Sequence, residues 1–200
     1  MKKTALTAGI VGIAVNLLLF VTKLYIGVTL SSLSVYCDAM NNLGDTLACG
    51  VAVLGFSLTM QLNETKSARA QSLCTFVISL FIAVTGVYFV YNGTERLFYP
   101  IPVAYAPSYA TCIAVTIGVK NILGFLFLRW NKTVCSPVLQ ALALDSFLDC
   151  FITAFVLMSL LLVERVNFAV DGVFAILCGT IISVSAVKNI ISETKFLIHN

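Results

Sequence analysis

Charge is what this sequence has least of. Only 10% of its 200 residues are Asp, Glu, Lys or Arg, against about a quarter in an ordinary water-soluble domain. With 60% hydrophobic residues and a mean hydropathy of +1.00, a soluble domain is excluded and the bilayer is the solvent. Linkers and low-complexity stretches are missing as well, so a single domain over 1–200 is the simplest organisation. The short alternating segments of a transmembrane β-barrel are absent, because the apolar runs here are continuous and much longer. Seven cysteines (37, 49, 74, 112, 135, 150 and 178) form no C-x-x-C pair and read as small buried apolar residues of a reducing context. Histidine is nearly lacking too: the one copy, His199, lies at the tail.

What is present is a set of apolar runs long enough to span hydrocarbon, which takes roughly 20 residues each. They fall at about 5–29, 33–61, 70–95, 107–130, 134–163 and 167–192. The expected fold is therefore all-α, a polytopic membrane protein of six transmembrane helices. The opening Met1-Lys2-Lys3 resembles a signal peptide, but its apolar stretch continues past Asn16 to about Leu30 with no small-x-small cleavage site. Between the third and fourth runs, Tyr99-Pro100-Ile101-Pro102 to Pro107 reads as an extended loop, since each proline disfavours helix at the residue before it.

Basic residues set the expected orientation. With a cytoplasmic N-terminus, the inner segments hold Lys2, Lys3, Lys66, Arg69, Arg129, Lys132, Lys188 and Lys195, and the outer loops hold only Arg96 and Arg165. Both termini are expected in the cytoplasm. The net charge of +3 then needs no nucleic-acid partner, and membrane lipid is the expected surrounding. The Lys2-Lys3 start and the lack of a targeting signal favour a prokaryotic plasma (inner) membrane. That orientation also puts two of the three N-x-T sequons, at Asn63 and Asn131, inside the cell, so these and Asn92 read as chance matches.

The informative residues are the charges inside the runs. Glu64, Glu95, Glu164, Asp171 and Glu193 lie at or near helix ends or in loops, which leaves Asp38, Asp45, Asp145 and Asp149 within apolar spans. Each ionised aspartate at a helix centre costs about 3 kcal/mol on the insertion scale. At about 100° per residue, Asp38, Asn41 and Asp45 fall on one face of the second helix. Asp145 and Asp149 stack one turn apart in the fifth, where like charges repel unless a proton or a cation offsets them.

Bringing Asn41 and Asp45 against Asp145 and Asp149 would build a four-residue oxygen cage near mid-membrane, with Asp38 as a further candidate ligand. A set without histidine or thiolate suits a harder cation, Mn²⁺ or Mg²⁺, better than zinc or copper. Lys23 is near the outer end of the first helix and is expected to snorkel. Lys120 lies about ten residues from the end of the fourth, some 15 Å, and is expected to pair with an aspartate. Asn16 and Asn121 read as helix-packing polar residues.

These residues resemble the cation diffusion facilitator (cation efflux) transporters. Asn16-x3-Phe20-x2-Lys23-x3-Gly27 and Ser31/Ser32-Leu33-Ser34-x3-Asp38-Ala39-x-Asn41-Asn42-x2-Asp45 look like that family's first two helices. Ser136-x2-Leu139-x-Ala141-x3-Asp145-Ser146-x2-Asp149 resembles its fifth, and Asp171-Gly172 the start of its sixth. The resemblance implies a metal quartet of Asn41, Asp45, Asp145 and Asp149, of the manganese type, since zinc-type members place a histidine in the quartet. It implies a secondary transporter that exports a divalent cation from the cytoplasm in exchange for protons by alternating access. Mn²⁺ is the favoured cargo, with Fe²⁺, Co²⁺ or Zn²⁺ the alternatives, and no other cofactor is expected.

Three features depart from the family. The chain stops at Asn200, so the family's C-terminal cytosolic domain is expected to be lacking and a homodimer is left open. The loop Gln61 to Arg69 does not carry the family's Gly-rich, His- and Arg-bearing segment, and there is no His-rich loop between the fourth and fifth helices.

Other classes fit less well. One alternative is that the acids only hold helices together through hydrogen bonds or stay protonated; another is an accessory membrane subunit that keeps the fold and binds metal or a partner without transporting. An intramembrane aspartyl protease needs Gly-x-Gly-Asp, whereas Asn42-Leu43-Gly44 precedes Asp45. A CDP-alcohol phosphotransferase needs an Asp-Gly-x2-Ala-Arg portion that is absent. The chain is not expected to be an enzyme.

Overall fold

The computed structural model describes residues 2–58, 64–135, 137–163, 165 and 169–199. Six helices occur among them: α1 (Lys2–Leu30), α2 (Leu33–Leu58), α3 (Glu64–Phe98), α4 (Pro107–Val134), α5 (Pro137–Val163) and α6 (Val170–His199). No strand occurs among the described residues. Five helices, all but α2, are long and apolar enough to cross a membrane. Asp38, Asn41, Asn42 and Asp45 lower the hydropathy of α2, and α2 is also the helix that packs against α1, α3, α5 and α6. Enclosure by protein is what lets it carry those side chains.

The helix positions follow the apolar runs, with differences at the ends. The fifth helix begins at Pro137 rather than 134. Val134 still belongs to α4, and Cys135 then turns left-handed (φ 53°, ψ 44°), its N–H bonding Asn131 O at 2.7 Å. The third and sixth helices run longer than their apolar cores, to 64–98 and 170–199. The expected end of the second helix (59–61), the expected start of the sixth (167–168) and Ser136 lie outside the described residues. At the start of α4, Pro107 follows an extended Ala106, a placement that needs no N–H from the proline.

Large apolar side chains cover the outside: Val84, Val87, Tyr91, Val115, Ile122, Leu148 and Phe151 are all exposed. The polar residues Lys23, Asp38, Asp45, Lys120 and Asp149 are buried, an inversion expected when hydrocarbon replaces water. Two apolar cores fill the bundle. The upper holds Leu30, Val35, Phe89, Ile113 and Val156; the lower holds Cys49, Leu123, Phe127, Leu139 and Ala143. Along α2, α4 and α5, Asp45, Lys120, Asp145 and Asp149 fall between the two cores.

Packing divides the helices. α3 and α6 pair most extensively with each other, α1 with α2, and α4 with α5. The α3–α6 contact is set by glycines seven apart on each helix: Gly86 faces Gly179, and Gly93 faces Gly172. A Cβ at Gly86 would lie 2.8 Å from Gly179 O, and one at Gly93 would lie 2.9 Å from Gly172 O. Small residues at these positions let the backbones approach, which is how helices associate where lipid supplies no hydrophobic drive.

Gly93→Ala and Gly179→Ala are therefore expected to force α3 from α6 and destabilise the protein by about 1–3 kcal/mol. Gly118→Ala meets nothing within 4 Å and is expected to leave stability unchanged or slightly raised. Thermal unfolding in detergent distinguishes the three, and equal melting points across the set would refute the close-contact account.

Candidate metal centre

Asp45 lies midway along α2, and Asp145 and Asp149 face it from successive turns of α5. Carboxylate oxygens of all three come within 4.8 Å of one another. Asp45 and Asp149 are buried, and Asp145 is half-buried. The i, i+4 spacing on α5 and the polar face of α2 meet as the helical period predicts.

Asn41 adjoins them one turn from Asp45. Its Nδ2 donates to Asp149 Oδ1 at 2.5 Å, so the amide N–H is what meets the carboxylate here. From α4, Lys120 Nζ reaches Asp45 Oδ2 at 2.6 Å and Asp149 Oδ2 at 2.5 Å, and its side chain is 1% exposed. The expected pairing of Lys120 with an aspartate is present, with two rather than one. Three carboxylates against one ammonium leave an excess of negative charge in a low-dielectric site, and a cation or protons must offset it.

Asp38 is not part of this cluster. It is fully buried and pairs with Lys23 Nζ at 2.8 Å, while Thr153 Oγ1 donates to its Oδ1 at 3.2 Å. Lys23 Nζ also donates to Thr153 Oγ1 at 2.9 Å. The expectation that Lys23 snorkels is therefore corrected: its side chain is 0% exposed, because a carboxylate on the neighbouring helix offers a closer partner than interfacial water. The position of Lys23 near a helix end gave no sign of this, since the period of α1 alone cannot say which helix covers that face.

Asp171 was placed at a helix end by the sequence, with no role read from its position. At the start of α6 it receives Leu33 N–H at 2.7 Å, Ser34 N–H at 3.2 Å, and the Ser32 and Ser34 hydroxyls at 2.6 Å each. Arg96 of α3 bonds its Oδ2 at 2.7 Å and Ser31 O at 2.7 Å. A carboxylate at the N-terminus of α2 satisfies donors that a helix leaves free and complements the helix dipole. The serine run before α2 was the signal available for this anion site.

Asn16 bridges α1 to α2 through Cys49 Sγ at 3.7 Å, as a helix-packing residue would; Asn121 bonds Ile117 O in its own helix at 3.1 Å. All seven cysteines are free; 37, 49 and 178 are buried, whereas 74 and 135 are exposed.

A cavity of about 710 Å³ leads away from Asp145, between α3–α6 on one side and α2 and α5 on the other. Its walls include Ser72, Asn189 and Glu193 near the end of the bundle where α6 finishes. Ser72 Oγ donates to Glu193 Oε2 at 2.5 Å, joining α3 to α6 along the cavity wall. At the opposite end, the Lys23–Asp38 pair and the Asp171 contacts lie on the far side of the carboxylates. The cavity thus reaches Asp145 from the end of the bundle where α6 finishes.

A bundle of long apolar helices with an acidic centre buried between two cores defines an integral membrane protein built around a charged site. Residues 9–198 match the cation efflux transmembrane domain. The chain belongs to the cation efflux family. It is similar to the cation-efflux pump FieF of Pectobacterium atrosepticum, 26% identical over 186 residues, which cover 90% of this chain and 62% of that protein. The FieF pump of Pectobacterium carotovorum subsp. carotovorum is 25% identical with the same coverage. The chain thus spans about three fifths of the length of these curated relatives.

The ion pair on α1 and α2 yields a test independent of metal. Asp38→Asn leaves Lys23 buried without a counter-charge, and a loss of about 3–5 kcal/mol is expected. The double variant Lys23→Met/Asp38→Asn is expected to recover most of it. Chemical denaturation in detergent measures both, and additive losses would show that the pair is not coupled.

Proposed function

We propose that this chain is a secondary active transporter that exports a divalent metal cation from the cytoplasm in exchange for protons, with Mn²⁺ the favoured cargo. The observation that carries this reading is the meeting of Asp45, Asp145 and Asp149 from two helices at the head of a cavity. In it α2 crosses the membrane with the other five helices, the end where α6 finishes is cytoplasmic, and the membrane is a prokaryotic plasma membrane. The basic residues Arg69, Arg129, Lys132, Lys188 and Lys195 support that orientation. The cavity then gives the cytoplasm access to Asp145.

The metal is the substrate. Asp45, Asp145 and Asp149 hold it through carboxylate oxygens, and Asn41 orients Asp149 and offers an amide oxygen once its side chain turns. An oxygen set favours Mn²⁺ over softer ions. Protons and metal compete for the same oxygens, so binding one releases the other. Affinity for the metal is therefore expected to fall as pH falls. Alternating access follows if the α3–α6 pair moves against the other four helices, closing the cavity and opening the far end.

The test is metal uptake into proteoliposomes with an imposed pH gradient, comparing Mn²⁺ with Zn²⁺ in the wild type, Asp149→Ala and Asp145→Asn. Gradient-dependent Mn²⁺ flux that drops at least about tenfold in both variants is expected. Asp145→Asn leaves the Lys120 pairs in place, so its loss of flux cannot be ascribed to an unpaired lysine. No flux of any divalent ion through folded wild-type protein would overturn the reading in favour of an accessory subunit.

A further inference from the structure

Lys120 occupies the space between Asp45 and Asp149 that a cation shared by α2 and α5 would take. Its ammonium is buried and within 2.6 Å of both carboxylates, and it comes from α4, a helix that supplies none of the three acids. Among the described residues, Asp145 has no ion pair with a basic side chain. With the carboxylates ionised, three negative charges and one fixed positive charge leave a formal −2. One divalent cation cancels that charge; a monovalent ion leaves −1 and a trivalent ion +1, each costly in a buried site.

We infer that Lys120 is a tethered competitor of the transported metal, a positioning residue that sets both the charge and the affinity of the site. The inference rests on the proposed transport function and adds to it a control on selectivity and release. An ammonium is a point charge on a flexible stem with three donors. It neutralises Asp45 and Asp149 when the metal is away and yields at least one of them when the metal binds. The displaced ammonium stays in the bundle, where Asn16 Oδ1 and Asn42 Oδ1 are buried acceptors without a hydrogen-bond partner. On release Lys120 returns, so the emptied carboxylates are never left facing one another unscreened. The metal can then be held selectively without being held too tightly to leave.

The experiment measures Mn²⁺ binding to purified protein by calorimetry, together with flux in proteoliposomes, for wild type, Lys120→Met, Lys120→Gln and Lys120→Arg. Removing the competing charge is expected to tighten Mn²⁺ binding on the order of tenfold while turnover falls, so KM and maximal rate drop together. Lys120→Arg keeps the charge and is expected to bind Mn²⁺ within a few-fold of wild type. The metal-induced rise in melting temperature should be larger for Lys120→Met than for wild type. A merely structural lysine would give weaker binding in the neutral variants, and that result, or unchanged affinity, overturns the inference. So does Lys120→Arg behaving like Lys120→Met. If Lys120→Met fails to fold, Lys120→Gln carries the same comparison. Wild-type protein that binds neither Mn²⁺ nor Zn²⁺ would overturn the functional reading itself, an outcome visible before any variant is compared.

Discussion

A charge in hydrocarbon must meet its opposite, and this constraint organises the whole bundle. Lys23, Asp38, Asp45, Lys120, Asp149 and Asp171 are buried, and every ion pair they form joins two different helices. Lys23–Asp38 ties α1 to α2, Lys120 ties α4 to both α2 and α5, and Arg96–Asp171 ties α3 to α6. In water such pairs would contribute little against the cost of desolvation. In lipid, apolar contact between helices replaces apolar contact with acyl chains and gives little net drive. Electrostatic pairing and close backbone packing then decide which helix sits beside which.

The two kinds of fastening are distributed unequally. The α3–α6 pair is held by facing glycines and contributes no side chain to the cluster around Lys120. α2, α4 and α5 are held around that cluster by their charges, and α1 is tied to α2 by the separate Lys23–Asp38 pair. Where α3 and α6 meet the rest, the polar links fall toward the ends: Asp171 with the start of α2, and Arg96 with Ser31. The cavity lies along the same boundary. A boundary that is apolar in the middle, hollow below and pinned above is where two rigid parts can shift, since apolar surfaces slide at less cost than ion pairs separate. This is the mechanical basis for the proposed alternating access.

The fold was largely legible in the sequence because a membrane helix must be apolar over a known length. All six helices were marked by their runs, and the errors lie at the ends, where Cys135 takes a left-handed turn or where a helix continues past its apolar stretch, as α6 does to His199. The helical period also placed the acids on common faces, which is why Asp45, Asp145 and Asp149 are together. What the period could not supply is the identity of the neighbour across each face. Lys120 was expected to pair because no water lay within its reach; Lys23 was assigned to the interface because water did, yet Asp38 lay closer. Asp38 shares a face of α2 with Asn41 and Asp45 but serves a different partner, since a carboxylate two turns along meets a different helix. Asp171 was noted only at a helix end and as part of the family resemblance, because its contacts to the Leu33 and Ser34 N–H groups, two serine hydroxyls and Arg96 come from elements distant in the chain.

The arrangement of charges along the bundle also orders the proposed events. Seen from Asp145, the lower approach crosses a cavity whose largely apolar walls carry Ser72, Asn189 and Glu193, with no ion pair among the described residues. The upper approach crosses the Lys23–Asp38–Thr153 group and then the Asp171 contacts. Breaking the fully buried Lys23–Asp38 pair inside a dry bundle would leave charges unpaired at a cost of several kcal/mol, so it does not open unless water reaches it at the same time. In the proposed cycle, α3–α6 drawing away from the start of α2 would admit water to the Lys23–Asp38 group, and the same movement would press that helix pair onto the cavity below. Opening at one end and closure at the other are then two aspects of one displacement. The ion pairs act as its latch, firm while dry and weak once wetted, and this is how a bundle held by buried charge can alternate without leaking.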